Sequence, residues 1–350
     1  MSKEKTPKVL VTGGAGFIGS HLVEALLRRR WKVRILDNLS TGKVENLEEA
    51  TGCSCPSPQE PPAGLEPYSL GKQAEFLKGD ISDVDTCRRA CQGVSFVFHL
   101  AALGSVQRSV EDPLLSHRVN ATGTLNMLLA AKEEGIKRLI YASSSSVYGN
   151  ISSNPEEVMP KEETLPTHPE SPYAATKLSG EIYGQIFSSL YNLETVSLRY
   201  FNVFGPRQDP QSIYAAVIPK FIQALLQGYP PVIYGDGRQS RDFTYVENVV
   251  QANLLAMEKP GISGHIFNIA CEQKITINEL LDFLQGISGR NIPAKFEPCR
   301  SGEVRHSLSS IRLAREHLGY EAKIAFREGA ESPRGHWSRS RRAAGQLVCH

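Results

Sequence analysis

The chain has 350 residues, 41% hydrophobic and 22% charged, which is enough to bury the core of one large domain or two smaller ones and excludes a disordered or fibrous chain. Its 39 basic and 37 acidic residues leave a formal charge of +2, so no global field favours nucleic acid or a membrane surface, and any anion site is local. The polar residues 1–7, the short glycine-rich stretch after them and an odd count of 7 cysteines fit neither a secretory signal nor a membrane span nor a disulfide framework; a cytoplasmic location is expected.

In chain order, short β-branched runs alternate with stretches of helical periodicity. Strands are expected at Lys8–Thr12, Lys32–Asp37, Ala74–Lys78 and residues 95–100, 138–143 and 195–201. Helices are expected at residues 17–30, Val84–Cys91, 113–134 and 173–190. That order builds βαβ units and an α/β fold with a doubly wound, Rossmann-type parallel sheet. After Gly205 the strands shorten and Pro206, Pro210, Pro219, Pro230 and Pro231 interrupt the pattern. Residues 1–205 therefore read as the sheet domain. Residues 206–326 read mainly as a smaller α/β ligand-binding region rather than a further β–α repeat, with a crossing back to the main sheet left open. Residues 52–71, rich in Pro, Ser and Gly, read as a long surface insertion. Residues 327–350 carry no amphipathic period and are expected as a disordered tail or the product of a frame error in the gene. Cys53 with Cys55, and Cys87 with Cys91, lie close in sequence, yet no nearby histidine completes a zinc pattern, so no metal is expected.

The first strand runs into Gly13-Gly14-Ala15-Gly16-Phe17-Ile18-Gly19. Gly13 permits a tight turn, Gly16 lets the backbone approach a diphosphate, and Gly19 allows close helix–sheet packing. Asp37 ends the second strand, where a carboxylate accepts from an adenosine ribose and repels a 2′-phosphate. NAD is thus the expected cofactor, with Asn38, Ser40 and Gly42 beside Asp37. Asp80-Ile81 and Ala101-Ala102 follow the next two parallel strands, on the edge that faces a ligand.

Tyr173 and Lys177 stand one helical turn apart on one face, so the ammonium is expected to lower the phenol pKa and make a usable general base. Ser144, Ser145 and Ser146 follow a strand at the same edge and offer hydroxyls to a substrate alcohol or ketone.

The glycine run, the serines before Val147-Tyr148-Gly149, Tyr173-x-x-x-Lys177 and Arg199-Tyr-Phe-Asn-Val-Phe-Gly-Pro-Arg207 together resemble the extended short-chain dehydrogenase/reductases acting on nucleotide sugars. The likeness spans residues 8–324 and is nearest to bacterial UDP-N-acetylglucosamine 4-epimerases. It implies Ser144 as the catalytic hydroxyl, Tyr173 as the base and Lys177 as its partner, with Asn120 and Tyr200 added to the cofactor site. It also implies a UDP-sugar site from Gly104, Ser105, Ser144, Ser145, Ser146, Tyr173, Asn202, Gln208, Ala216, Tyr234, Arg241, Arg300 and Ser307. Arg241 and Arg300 resemble the diphosphate clamp, and Ser307 stands where family members restricted to UDP-glucose carry a bulky tyrosine. Dehydratases and decarboxylases of the family carry acids after the catalytic hydroxyl, where this chain has Ser145 and Ser146. Reversible 4-epimerisation is therefore the expected reaction, dehydration or decarboxylation its enzymatic rival, and a non-catalytic NAD sensor the rival from another class. The helices at 113–134 and 173–190 imply, by the same resemblance, a homodimer.

Overall fold

A computed structural model describes residues 7–55, 66–150, 158–209, 216–299 and 304–332. The first half runs β1 (Lys8–Thr12), α1 (Phe17–Arg28), β2 (Lys32–Asp37), α2 (Val44–Thr51), β3 (Tyr68–Leu70), β4 (Ala74–Lys78), α3 (Val84–Cys91), β5 (Phe96–His99), α4 (Val106–Glu111), α5 (Pro113–His117), α6 (Gly123–Glu133) and β6 (Arg138–Ser144). There follow β7 (Pro160–Lys161), α7 (Pro172–Leu190), β8 (Glu194–Tyr200), β9 (Val203–Phe204), α8 (Val217–Gln227), β10 (Val232–Tyr234), β11 (Ser240–Arg241), β12 (Thr244–Tyr245) and α9 (Val246–Glu258). The last are β13 (Ile266–Ile269), β14 (Ile275–Thr276), α10 (Ile277–Ser288), β15 (Lys295–Glu297), β16 (His306–Ser309) and α11 (Phe326–Glu331).

The main sheet has strand order β13-β8-β6-β5-β1-β2-β4-β3. Only the β3–β4 pair is antiparallel in it. Its central strands are apolar runs without alternation, such as Val9, Leu10 and Val11 at 0% exposure, because helices cover both faces of a parallel sheet. The order reverses between β1 and β5, and such a switch point opens a crevice at the carboxyl ends of the strands. The glycine run lies there.

Four expectations change. The helix over residues 113–134 is broken: α5 and α6 are joined through a π-helical turn at Arg118–Thr122, which holds Asn120. Part of the supposed insertion is sheet, since Tyr68–Leu70 forms the short edge strand; residues 56–65 lie outside the described residues. A further β–α repeat does follow Gly205: α9 leads to β13, which pairs in parallel with β8 and so adds a strand to the main sheet. Finally, residues 327–331 are not tail but helix, with Phe326 packed against Phe204, Phe243 and Phe283 at centroid distances of 5.3–5.5 Å; residues 333–350 lie outside the described residues.

The smaller region is a four-stranded sheet, β14-β11-β16-β7, beside a core formed by α8 and α10 in which Phe221, Leu225, Leu280 and Leu284 are buried. Among the described residues no helix is long and apolar enough to cross a membrane.

Candidate active site at the switch point

A cavity of about 1200 Å³ runs from the glycine turn across the end of the main sheet to the small sheet. At its first end the glycines are fixed by sterics. A Cβ on Gly13 (φ +70°) would lie 2.8 Å from the Ala101 nitrogen, and one on Gly19 would lie 2.1 Å from the Gly13 carbonyl oxygen. Gly16 is the N-cap of α1 and has no side chain to satisfy the first N–H groups, so these groups and the helix dipole are left to bind an anion. Phe17, Ile18, Asp37, Asn38, Ser40, Gly42, Ile81, Ala101 and Ala102 all line this end. Asp37 accepts from the Ala15 and Leu39 N–H groups at 3.0 and 2.8 Å, and burial raises its pKa against the pull of those two donors. A Cβ on Gly42 would come within 2.8 Å of the Asp37 carboxylate. The cradle fits NAD: the bare N–H groups at the start of α1 would hold its diphosphate and the buried Asp37 carboxylate its ribose.

Two expected cofactor residues do not line the cavity. Asp80 accepts from Asn38 Nδ2 at 2.8 Å and from the Ser82 N–H at 2.8 Å, so it orients Asn38, which lines the cavity. Asn120 is buried in the π-turn, where its Oδ1 accepts from the Leu103 N–H at 2.7 Å and its Nδ2 donates to Leu103 O and Thr176 Oγ1, both at 3.2 Å. It fixes the Ala101–Leu103 wall to α7.

In the middle of the cavity, β6 ends at Ser144, whose Oγ accepts from the Ser146 N–H at 3.2 Å and from Ser146 Oγ at 3.0 Å, capping the 3₁₀ turn Ser145–Tyr148. Ser171 caps α7, and Tyr173 and Lys177 rise from its first turns toward Ser144. The expected lowering of the Tyr173 pKa is not what the geometry gives. Burial raises it, and the hydrogen bond to Ser144 pulls it back only in part. The Lys177 ammonium donates to Ala142 O at 2.7 Å and stands 5.9 Å from the Tyr173 ring centroid. Burial pushes Lys177 down to about 8, against the pull of Glu181. A bound cofactor carrying positive charge on its ring would add the missing stabilisation of phenolate.

Sequence reasoning missed what lies behind these residues. His99 bridges Thr12 Oγ1 at 2.8 Å and Thr124 Oγ1 at 3.0 Å, and burial holds its pKa down at about 3, so the ring is neutral. Glu181 takes Arg199 through two bonds, at 2.9 and 2.7 Å, and Ser143 Oγ at 2.5 Å. No spacing rule joins residues from three separate elements. Lys161 and Glu170 also line the cavity without belonging to any recognisable motif.

At the far end, β11 and β16 pair in parallel with Arg241 opposite Ser307. Arg241 donates to the carbonyls of Ser240 and Arg305 at 2.9 and 3.0 Å. Asn202, at φ +33°, donates to Asp242 O at 3.1 Å and to Ser307 Oγ at 3.3 Å. A non-glycine residue held at positive φ carries backbone strain, and such strain gathers at functional sites. Gly104, Ser105, Ser145, Tyr200, Gln208, Ala216 and Tyr234 complete the wall. Arg300 lies outside the described residues.

A glycine-rich diphosphate turn, a ribose carboxylate and a Ser–Tyr–Lys set on one sheet edge define an NAD-dependent enzyme scaffold whose second ligand is held by a separate small region. The chain belongs to the NAD dependent epimerase/dehydratase family, whose model matches residues 9–270. It is 37% identical over 323 residues to a putative UDP-glucose 4-epimerase of Methanocaldococcus jannaschii, covering 92% of this chain and 95% of the relative. Among solved structures, it is similar to a UDP-N-acetylglucosamine 4-epimerase from Methanobrevibacter ruminantium at 40% identity and TM-score 0.84, covering 96% and 99% of the two chains. It is also similar to a Thermotoga maritima UDP-glucose 4-epimerase at 37% identity and TM-score 0.83, covering 95% and 99%.

Proposed function

We propose that the protein interconverts UDP-N-acetylglucosamine and UDP-N-acetylgalactosamine by reversible oxidation at C4, with UDP-glucose and UDP-galactose as smaller alternatives. Ser307 carries this reading. It is a small, buried side chain in register with Arg241 and within 3.3 Å of Asn202, so the sugar wall stays open where a larger residue would fill the space needed by a 2-acetamido group. Arg241 holds the diphosphate, as a planar donor suits it.

The chemistry NAD supplies is reversible acceptance of hydride. Tyr173 removes the proton of the 4-hydroxyl, Ser144 donates to the same oxygen as it becomes a ketone, and Lys177 keeps the phenolate charge favourable. Once the keto sugar has turned its other face, Tyr173 returns the proton. No net oxidation results.

A carboxylate in the cavity favours the dehydratase or decarboxylase alternative. Glu170 is one, but it is exposed and its oxygens accept from the Asn150 N–H at 3.0 Å and Asn150 Nδ2 at 2.7 Å. Incubation with UDP-GlcNAc, UDP-glucose and UDP-glucuronate separately decides: an N-acetylgalactosamine product supports the proposal, whereas release of CO₂ from UDP-glucuronate or of water from UDP-glucose refutes it.

A homodimer in the cytoplasm belongs to the same reading. Ile182, Ile186 and Leu190, four residues apart on α7, are 49%, 38% and 70% exposed, and Leu114 of α5 is 81% exposed. An apolar helical stripe of this kind is matched by the same stripe on a second copy.

A further inference from the structure

Lys161 is 4% exposed, and its position in the fold is set by the small sheet. β7 pairs with β16 so that Lys161 lies opposite Ser309, while Ser307 on β16 lies opposite Arg241 on β11. Residues opposite one another in a parallel pair share a face, as do residues two apart along a strand. Arg241, Ser307, Ser309 and Lys161 are therefore on one face of the sheet, and Arg241, Ser307 and Lys161 all line the cavity. Strands are about 4.8 Å apart and residues two apart along a strand about 6.6 Å, so Lys161 stands diagonally across one strand gap from Ser307, at roughly 8 Å between backbones, and across two from Arg241, at roughly 12 Å.

The ammonium has three N–H bonds. One donates to Gly149 O at 2.8 Å; the other two have no hydrogen-bond partner among the described residues. The Tyr148 ring centroid is 5.7 Å from Nζ. Burial and the Arg241 guanidinium push Lys161 down to about 8, while Glu170 acts the other way. A buried ammonium short of acceptors is costly, and the cost falls when a ligand brings an acceptor to it.

We propose that Lys161 is a specificity-determining residue that donates a hydrogen bond to the carbonyl oxygen of the 2-acetamido group of the bound nucleotide sugar. The inference rests on the acetamido-sugar reading above and goes beyond it. Ser307 supplies room for the group, whereas Lys161 supplies its attraction. Glucose, with a hydroxyl at that carbon, does not extend to Lys161.

The test is titration of the NAD-loaded enzyme with UDP, UDP-glucose and UDP-GlcNAc, for the unmodified chain and for Lys161→Met and Lys161→Gln. The glutamine variant keeps a donor for Gly149, which separates loss of that clamp from loss of sugar recognition. The proposal expects both variants to bind UDP-GlcNAc about 10–30-fold more weakly, the effect of one charge-assisted hydrogen bond, with UDP and UDP-glucose changed less than threefold. Equal weakening toward all three ligands, or no weakening, overturns it. Failure of the parent reading looks different: the unmodified chain then shows no preference for UDP-GlcNAc over UDP-glucose.

Discussion

Replacing Glu181 by glutamine should cost the protein about 3–5 kcal/mol of stability, because it breaks an ion pair that is almost wholly out of water. The two side chains are 4% and 1% exposed and are joined at 2.7 Å. Arg199 Nη1 has no hydrogen-bond partner among the described residues, and the guanidinium lies 4.6 Å from the Tyr148 ring centroid. With the carboxylate gone, the guanidinium keeps its charge and loses the carboxylate that it hydrogen-bonds through two of its nitrogens. Glutamine keeps one oxygen for the Ser143 hydroxyl and the Arg199 Nε–H, so the bond lost is the one to Arg199 Nη2, where an NH2 would face the guanidinium. The assay is urea unfolding of the NAD-loaded enzyme, followed by intrinsic fluorescence, with the midpoint shift converted through the m-value. The double variant Glu181→Leu/Arg199→Met removes both charges and should recover most of the loss. A loss below about 1 kcal/mol for Glu181→Gln, the range of exposed pairs, would refute the account of this network.

Tyr173→Phe removes the base and should lower kcat by at least about 10³-fold while leaving UDP-sugar affinity within a few-fold, read from progress curves and titration. Lys177 has its pKa pushed down to about 8 by burial, so it is cationic below that pH and neutral above. Activity should fall as pH rises past about 8, and Lys177→Met should abolish that limb together with most of the rate. Because this folded pKa lies below the usual 10.5, the same group adds stability as pH rises toward 10.5 and loses that contribution as pH falls through 8. Gly19→Ala puts a methyl against the Gly13 carbonyl, 2.1 Å away, and should give a protein that purifies without NAD, seen in the absorbance ratio of the holoenzyme. Ser307→Tyr should cut kcat/KM for UDP-GlcNAc at least about 30-fold and spare UDP-glucose.

Much of the site was legible because its signals are local. Gly13, Gly16 and Gly19 are dictated by close backbone approach within one turn, and Tyr173 with Lys177 by one turn of helix, so neighbouring residues suffice to read them. What the sequence hid depends on contacts between distant segments. β13 is only four residues long and joins the main sheet after the chain has left it, so its short apolar run reads like the other fragments beyond Gly205. Asp80 ends a strand on the ligand edge, and its bond to Asn38 is a side-chain contact 42 positions away that no local spacing records. The burial that raises the Tyr173 pKa is likewise made by contacts between distant segments. The i,i+4 spacing fixes which face Lys177 shares, but not that its ammonium turns to the Ala142 carbonyl. Lys161 reaches the cavity only through the register of two short strands, which no periodicity records.

The most direct test of the central claim follows the hydrogen at C4. The account has this hydrogen leave the sugar and return to the same carbon within one enzyme-bound cycle. UDP-GlcNAc deuterated at C4, incubated with the purified enzyme without added NADH and analysed by NMR, should yield UDP-GalNAc with the deuterium retained at C4. No N-acetylgalactosamine product, or a product in which the C4 deuterium has been replaced by solvent hydrogen, would contradict it.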